Sequence, residues 1–279
     1  MTGRERRVRL DLAYDGTGFR GWQYQPGEPT VQGVVEKAFS RVLGERPVRL
    51  RAAGRTDAGV HARQQVTDTP VTSRLEDDRL LQALDATLPG EVRPLCLSTV
   101  EDEFHCRSGA VSKCYQYLLD LSPHGDPFLR RYALHHPSAL NLDAMENALE
   151  RLPGKKDWAG FAGSASRVES TVRDLRRAEY AESEDGIGIF TFAADGFLNH
   201  MVRTLVGTLL EIARGRFLPE MVDEILATKD RRRAGPTAPA AGLCLVQVLY
   251  QGEEDRISSS EPWTRCRVLA RAGPAQGRG

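Results

Sequence analysis

Gly54-Arg55-Thr56-Asp57-Ala58-Gly59-Val60-His61-Ala62-Arg63 places one carboxylate in a short loop, between two glycines and two positions after an arginine. Glycine tolerates positive φ and lets other backbone come close, so Gly54 and Gly59 leave Asp57 open to a bulky neighbour. Arg55 carries a charge that can keep Asp57 ionised or reach a phosphate. On spacing alone this is an acidic turn, because aspartate in a glycine-rich loop commonly serves its own backbone. The rest of the chain decides between a turn and a site.

On the N-terminal side, Arg7 to Tyr14 alternates polar and apolar residues, with Val8, Leu10, Leu12 and Tyr14 on one face of a half-buried strand. Thr30 caps a helix in which Val31, Val34, Val35, Ala38, Phe39, Val42 and Leu43 follow helical spacing. A strand-like stretch from Pro47 to Ala53 leads into the loop, and Leu80, Leu81, Leu84 and Leu88 mark a second helix over 77–88. The theme then repeats. Tyr115, Tyr117, Leu119 and Leu121 alternate as a strand, and Leu142, Met145, Leu149 and Leu152 mark a helix starting near Asp143. Strands over 172–180 and 187–194 precede the longest helix, Phe197 to Ala213, and Leu243 to Tyr250 closes as a strand. This order predicts an α+β protein of two related sheet-and-helix halves with mainly antiparallel strands. The halves are read as 1–105 and 106–252. The Ser-, Gly- and Arg-rich residues 253–279, ending Gly273-Pro274-Ala275-Gln276-Gly277-Arg278-Gly279, are read as a disordered tail.

A chain of 279 residues, 41% hydrophobic, is long enough to bury a substantial core. No apolar run approaches the roughly 20 residues that span a bilayer. The polar, Arg-rich start at Met1 to Arg9 lacks the apolar stretch of a secretory signal. Five cysteines, with no C-x-x-C pair, argue against a disulfide framework or a zinc site and point to a reducing cytoplasm. Basic and acidic residues balance at 38 each, so charge alone names no nucleic-acid partner. Of the 38 basic residues five are lysine, which leaves 33 arginines. Arginine's planar fork suits phosphates and bases, although a GC-rich genome accounts for the excess equally well.

Several chemistries are missing. Gly54 and Gly59 have the separation of a phosphate-binding loop, but Val60-His61 follows where lysine and a hydroxyl residue are required. There is no G-x-S-x-G elbow, no H-E-x-x-H helix and no zinc-deaminase pattern. The six histidines have no ligand spacing, and His135-His136 reads as a strand or loop pair. No metal or nucleotide cofactor is expected. In the helix over 197–213, Gly196, His200, Arg203 and Gly207 recur on one face, opposite a broad apolar face. Gly207 in a helix interior costs about 0.8–1 kcal/mol relative to alanine and so implies a close neighbour.

Five ordered blocks over residues 8–250 resemble the tRNA pseudouridine synthase A family. Tyr14-Asp15-Gly16-Thr17-Gly18-Phe19-Arg20-Gly21-Trp22-Gln23 is similar to its opening strand and glycine-rich turn, and Thr30-Val31-Gln32-Gly33 to its first helix. The Asp57 loop resembles its active-site loop. Phe104-His105-Cys106-Arg107 with Lys113-Cys114-Tyr115-Gln116-Tyr117 is similar to the segment bearing its active-site tyrosine, which falls on Tyr115. Asn199-His200-Met201-Val202-Arg203 matches the helix of its active-site arginine, at Arg203, and Pro236-Thr237-Ala238-Pro239 with Gly242-Leu243 its C-terminal signature. Gln64 and Cys106 depart from the usual residues, and Gly160 to Ser170 is only loosely similar.

The resemblance implies a pseudouridine synthase fold with the active-site cleft between its halves. It implies an isomerase that breaks the N1–C1′ bond of uridine, turns the base and rejoins it through C5, with no cofactor. Asp57 would be catalytic and Arg203 would pair with it. Tyr115 would stack on the uracil, and Arg55 would fill the gap left by the extruded nucleotide. The implied partners are the anticodon stem-loop of tRNA (positions 38–40) and a second copy of the chain. A synthase for another RNA, or an RNA-binding protein without catalysis, are the alternatives.

Overall fold

The computed structural model describes residues 3–44, 47–163 and 168–265. The chain divides into two compact units, of which the described parts are 3–110 and 111–265.

The first unit has β1 (Arg4–Tyr14), α1 (Val31–Val42), β2 (Arg51–Ala52), β3 (His61–Ser73), α2 (Asp77–Asp85) and β4 (Val92–Val100). Its strands lie in the order β4-β1-β3, antiparallel, with β2 on β3; Leu10 stands opposite both Leu97 and Thr67. Val8, Leu10, Leu12 and Tyr14 of β1 are buried as the alternation predicts, with Val35 and Phe39 of α1 and Leu80 and Leu84 of α2. α1 begins where expected: Gly33 N donates to Thr30 Oγ1 at 3.3 Å, satisfying one of the free N–H groups of the first turn.

The polar face of β1 is not solvated. Arg9 and Asp11 are buried and form a two-point pair, Nε to Oδ1 at 2.7 Å and Nη2 to Oδ2 at 2.9 Å, and Gln64 Nε2 donates to the same carboxylate at 2.9 Å. Next to it, the fully buried Asp68 accepts from Arg7, Arg51 and Cys106 N, while Arg7 and Arg51 also donate to Asp102 O and Phe104 O. Burial raises the affinity of Asp68 for a proton, but the hydrogen bonds from Arg51 and Cys106 outweigh it and hold the carboxyl below its usual range. This network fastens residues 102–106 across the strand face that periodicity alone leaves to water.

The second unit has β5 (Ala110–Asp120), β6 (Leu134–His135), α3 (Leu142–Glu150), β7 (Gly154–Asp157), β8 (Val172–Glu182), β9 (Ile187–Ala194), α4 (Met201–Ala213), α5 (Met221–Thr228) and β10 (Leu243–Tyr250). Strand order is β10-β5-β9-β8-β7, with β6 parallel to β5; β5, β9, β8 and β7 pair antiparallel. α4 is buried along nearly its whole length. It starts four residues later than its apolar spacing suggests. His200 adopts φ 59°, outside the helical region, and Asn199 O accepts from Gly163 N at 2.8 Å.

Residues 253–265, placed by composition in a disordered tail, instead lie against this sheet. Ile257 and Trp263 are buried in one cluster with Cys114, Leu118, Ile189 and Val246, and Trp263 meets Tyr132 edge to face at 5.6 Å. Gln116 Nε2 donates to Ser258 O at 2.9 Å and Arg177 Nη1 to Ile257 O at 2.9 Å. Two apolar side chains and two main-chain anchors order a stretch whose average composition is polar. The expected disorder at 266–279, including Gly273 to Gly279, lies outside the described residues, as do residues 164–167 of the loosely similar loop. Among the described residues no helix is long and apolar enough to cross a membrane.

Candidate active site

Asp57 stands on a loop held from three sides. Below it, Gln65 is fully buried and spans the main chain of Gly54: Nε2 donates to Gly54 O at 2.8 Å, and Gly54 N donates to Oε1 at 3.4 Å. Beside it, the hydroxyls of Tyr14 and Thr56 share a hydrogen bond of 2.8 Å. Above it, the glycine-rich turn after β1 lies directly on the loop. Trp22 N donates to Thr56 O at 3.0 Å, Gly59 N to Phe19 O at 3.2 Å, and Gly16 N to His61 Nδ1 at 3.0 Å.

That contact explains two glycines of the turn. A Cβ on Gly16 would stand 2.0 Å from Val60 O, and one on Gly21, where φ is 89°, would stand 2.7 Å from Thr56 O. Val60 N closes the loop onto Asp57 O at 3.1 Å, and Gly59 takes φ 79°. Thr56 and Val60 are buried, Asp57 is half-buried, and Arg55 and Ala58 are exposed. The loop is therefore a rigid support that presents one carboxylate with an arginine outside it.

In the second unit, Arg203 lies in the first turn of α4. Its Nε donates to Ala238 O at 2.7 Å, and Ala238 N returns a bond to Arg203 O at 3.0 Å. The same segment is tied again by Gly235 N to Thr208 Oγ1 at 2.9 Å and by Arg231 to Gly235 O and Thr237 Oγ1, both at 2.9 Å. The cost of Gly207 is accounted for here: a Cβ on it would stand 1.7 Å from Pro236 O. The face of α4 bearing Arg203 and Gly207 thus receives another backbone. Gly196 and His200 precede the helix.

Tyr115 is buried on β5, with its ring edge to face against Phe197 at 5.1 Å. Two residues on, Tyr117 Oη donates to Pro239 O at 2.9 Å, and Gly242 leaves room for its ring, since a Cβ there would stand 2.7 Å from Cε1. Burial pushes the Tyr117 phenol well above its usual range, against the opposing effect of the Arg203 charge, so it acts as a neutral donor. The segment Pro236 to Gly242 serves as a brace between Arg203 and the strand of Tyr115.

Asp57 and Arg55 share one loop of the first unit, and Tyr115 and Arg203 lie on β5 and α4 of the second, both of which bond to the segment Pro236 to Gly242. Sequence reading missed the supports: Gln65 and Tyr14 at the loop, and Tyr117, Thr208 and Arg231 around the brace. Only the glycines signalled them, through close approach. Among the described residues no group of three or more His, Cys, Asp or Glu is placed to hold a metal ion.

Comparison with known proteins gives the class of this chain, that of the RNA-modifying isomerases. Residues 12–107 and 148–251 match the tRNA pseudouridine synthase family, and the chain belongs to it: it is an isomerase that converts uridine to pseudouridine in tRNA. It is 42% identical over 249 residues to tRNA pseudouridine synthase A of Geobacillus kaustophilus, covering 88% of this chain and 95% of that one. It is 43% identical over 245 residues to the protein of the same name from Moorella thermoacetica, covering 87% and 99%. The Streptococcus sanguinis protein of that name is 39% identical over 246 residues, covering 88% and 99%.

Proposed function

We propose that Asp57 is the catalytic carboxylate of this isomerase and that its substrate is the anticodon stem-loop of tRNA. One observation carries the reading. The loop is fixed by buried partners at Gly54, Thr56 and Gly59, while Asp57 between them is left half-buried. A turn that served only its own backbone would need no support of this kind. An ionised carboxylate at C1′ acts as nucleophile or stabilises charge there while the N1–C1′ bond breaks. The uracil turns, C5 bonds to C1′, and the C5 hydrogen leaves as a proton. Atoms balance and no redox step occurs.

In this reading the half 1–105 contributes Asp57 and Arg55 to the reaction, and the half 106–252 contributes Tyr115 and Arg203. Arg203 supplies the counter-charge of the reacting centre, and the brace at Ala238 sets the plane of its guanidinium. Tyr115 offers a ring to the uracil. Arg55, exposed at the rim, takes the place of the extruded nucleotide. Two copies of the chain bind one tRNA, and the protein works in the cytoplasm.

Incubating the purified chain with unmodified tRNA and mapping the new pseudouridines tests the proposal. Modification confined to neighbouring uridines of the anticodon stem-loop is expected. Pseudouridines only elsewhere in the tRNA would overturn the substrate assignment.

A further inference from the structure

Tyr24 lies two residues beyond Trp22, whose N–H donates to Thr56 O at 3.0 Å. Two residues of chain span at most about 7 Å, so the tyrosine stands beside the Asp57 loop. It is 45% exposed, yet it is held. Tyr24 N donates to Gln32 Oε1 at 2.9 Å, and Gln32 Nε2 in turn donates to Glu36 Oε1 at 2.9 Å. Gly33, at the start of α1, makes room for the ring: a Cβ there would stand 3.4 Å from Tyr24 Cδ2.

Arg49 completes the arrangement. Its guanidinium carbon stands 5.7 Å from the centre of the Tyr24 ring, and Nη1 donates to Glu36 Oε2 at 3.1 Å. The Arg49 side chain is 77% exposed, whereas that of Glu36 is 8% exposed. Glu36 also accepts from Leu50 N at 2.9 Å, so the main chain beside Arg49 is tied to the same carboxylate. The charge of Arg49 is thus matched from within, and what reaches the solvent is an aromatic ring and a guanidinium held against each other.

We propose that Tyr24 and Arg49 form a stacking platform for an unpaired RNA base adjacent to the uridine being isomerised. Single-stranded bases are recognised by stacking on aromatic rings and guanidinium planes. A uridine drawn from its stack leaves its neighbours without a stacking partner, and a surface ordered before binding offers one at little entropic cost. Arg20, which pairs with Glu28 at 3.4 Å, and Arg55, which precedes Thr56, are both exposed and supply charge for the flanking phosphates. The inference rests on the reading that uridine is isomerised at Asp57.

Three variants of the full chain test it. Tyr24→Phe keeps the ring, Tyr24→Leu keeps apolar contact with Gly33 but has no aromatic face, and Arg49→Lys keeps the charge opposite Glu36 but has no plane. With unmodified tRNA, Tyr24→Phe is expected to bind within about twofold of wild type and Tyr24→Leu about tenfold more weakly, with Arg49→Lys between them. Thermal midpoints, measured in parallel, should stay together. A second arm uses tRNAs with an abasic nucleotide at each of the two positions on either side of the modified uridine. One of these should weaken the wild-type protein about tenfold and weaken Tyr24→Leu no further. Wild-type affinity of a folded Tyr24→Leu overturns the platform, and so does an abasic penalty of the same size in both proteins. If Tyr24→Leu does not fold, wild-type affinity of Arg49→Lys, or indifference of the wild-type protein to all four abasic sites, overturns it. Release of tritium from C5-labelled tRNA by the wild-type protein is followed separately. Its abolition by Asp57→Asn supports the catalytic assignment, and its survival refutes that assignment whatever the binding data say of Tyr24.

Discussion

The Asp57 loop and the Arg203 helix are steadied by opposite arrangements. In the loop the main chain is the movable part, so the supports grip main chain: Gln65 holds Gly54, and the turn after β1 holds Thr56 and Gly59. In α4 the helical ladder already fixes the main chain, and the movable part is the long arginine side chain. Its support is a segment 35 residues downstream, whose Ala238 carbonyl takes Nε. The glycines follow the same division. Gly16 and Gly21 belong to the turn that does the supporting, whereas Gly207 belongs to the helix being braced. A loop and a helix can thus offer equally fixed charges, provided that whatever is free to move in each is held from outside.

The largest expected effect is at Asp57. Asp57→Asn keeps the shape of the side chain and its turn hydrogen bonds but supplies neither nucleophile nor base. Turnover, read as tritium release from C5-labelled tRNA, should fall by about 10⁴-fold. Stability should change by about 1 kcal/mol or less. Release near the wild-type rate would reduce Asp57 to a turn residue and remove one side of the comparison.

Arg203→Lys comes next. The charge remains, but the Nε–H that Ala238 O accepts is lost with the planar fork, so the charge is no longer steered. A fall in kcat of about 10²-fold, with tRNA affinity nearly unchanged, is expected. Wild-type kcat would show that the brace positions nothing.

Gly16→Ala and Gly207→Ala separate the two arrangements. Each drives a methyl group into a carbonyl, at 2.0 Å from Val60 O and 1.7 Å from Pro236 O. Each should cost about 1–3 kcal/mol in thermal or urea unfolding, as overpacking does. The activity losses should differ in their remedy. Joining Gly207→Ala to Arg203→Lys should cost little more activity than Arg203→Lys alone, because both act through one contact, whereas Gly16→Ala and Arg203→Lys should multiply. Independent losses in the first pair would break the link between brace and arginine.

The smallest effect lies away from both supports. Hydrogen bonds from Lys229 and Thr171 hold the Asp157 carboxyl at about 2, below its ordinary 3.8. A lowered folded pKa stabilises above the unfolded value, so this contribution is present above about pH 4 and is lost as pH falls from 3.8 toward 2. The partly exposed ion pair makes it small, under about 1 kcal/mol. Asp157→Asn should therefore flatten the acid limb of the stability curve slightly and leave the neutral thermal midpoint almost in place. A midpoint drop of many degrees would identify a further buried anchor.

Where local pattern and tertiary environment agree, the sequence was legible. β1 keeps Val8, Leu10, Leu12 and Tyr14 inward, α1 starts at its Thr30 cap, and Leu243–Tyr250 is a strand with the expected ends. β3 escaped notice because its buried positions Gln65, Thr67 and Asp68 are polar and carry no apolar alternation. They are buried because partners distant in sequence satisfy them, and periodicity does not register partners. The first turn expected of α4 is absent for a similar reason: Asn199 O is taken by Gly163 N. Ile257 and Trp263 were too isolated among polar neighbours for composition to show that they belong to a core.

The sequence by itself determined the family, the α+β class, and the identities of Asp57, Arg55, Tyr115 and Arg203 as candidates, because a reacting group must be a particular residue type in a particular local frame. Tertiary structure alone decided what holds those residues: Gln65 under Gly54, Gly16 against Val60, and Ala238 at the Nε of Arg203. The physical reason is that hydrogen-bond direction and van der Waals exclusion act between atoms within a few ångströms, and only the folded chain brings residues 11 to 44 positions apart to that distance.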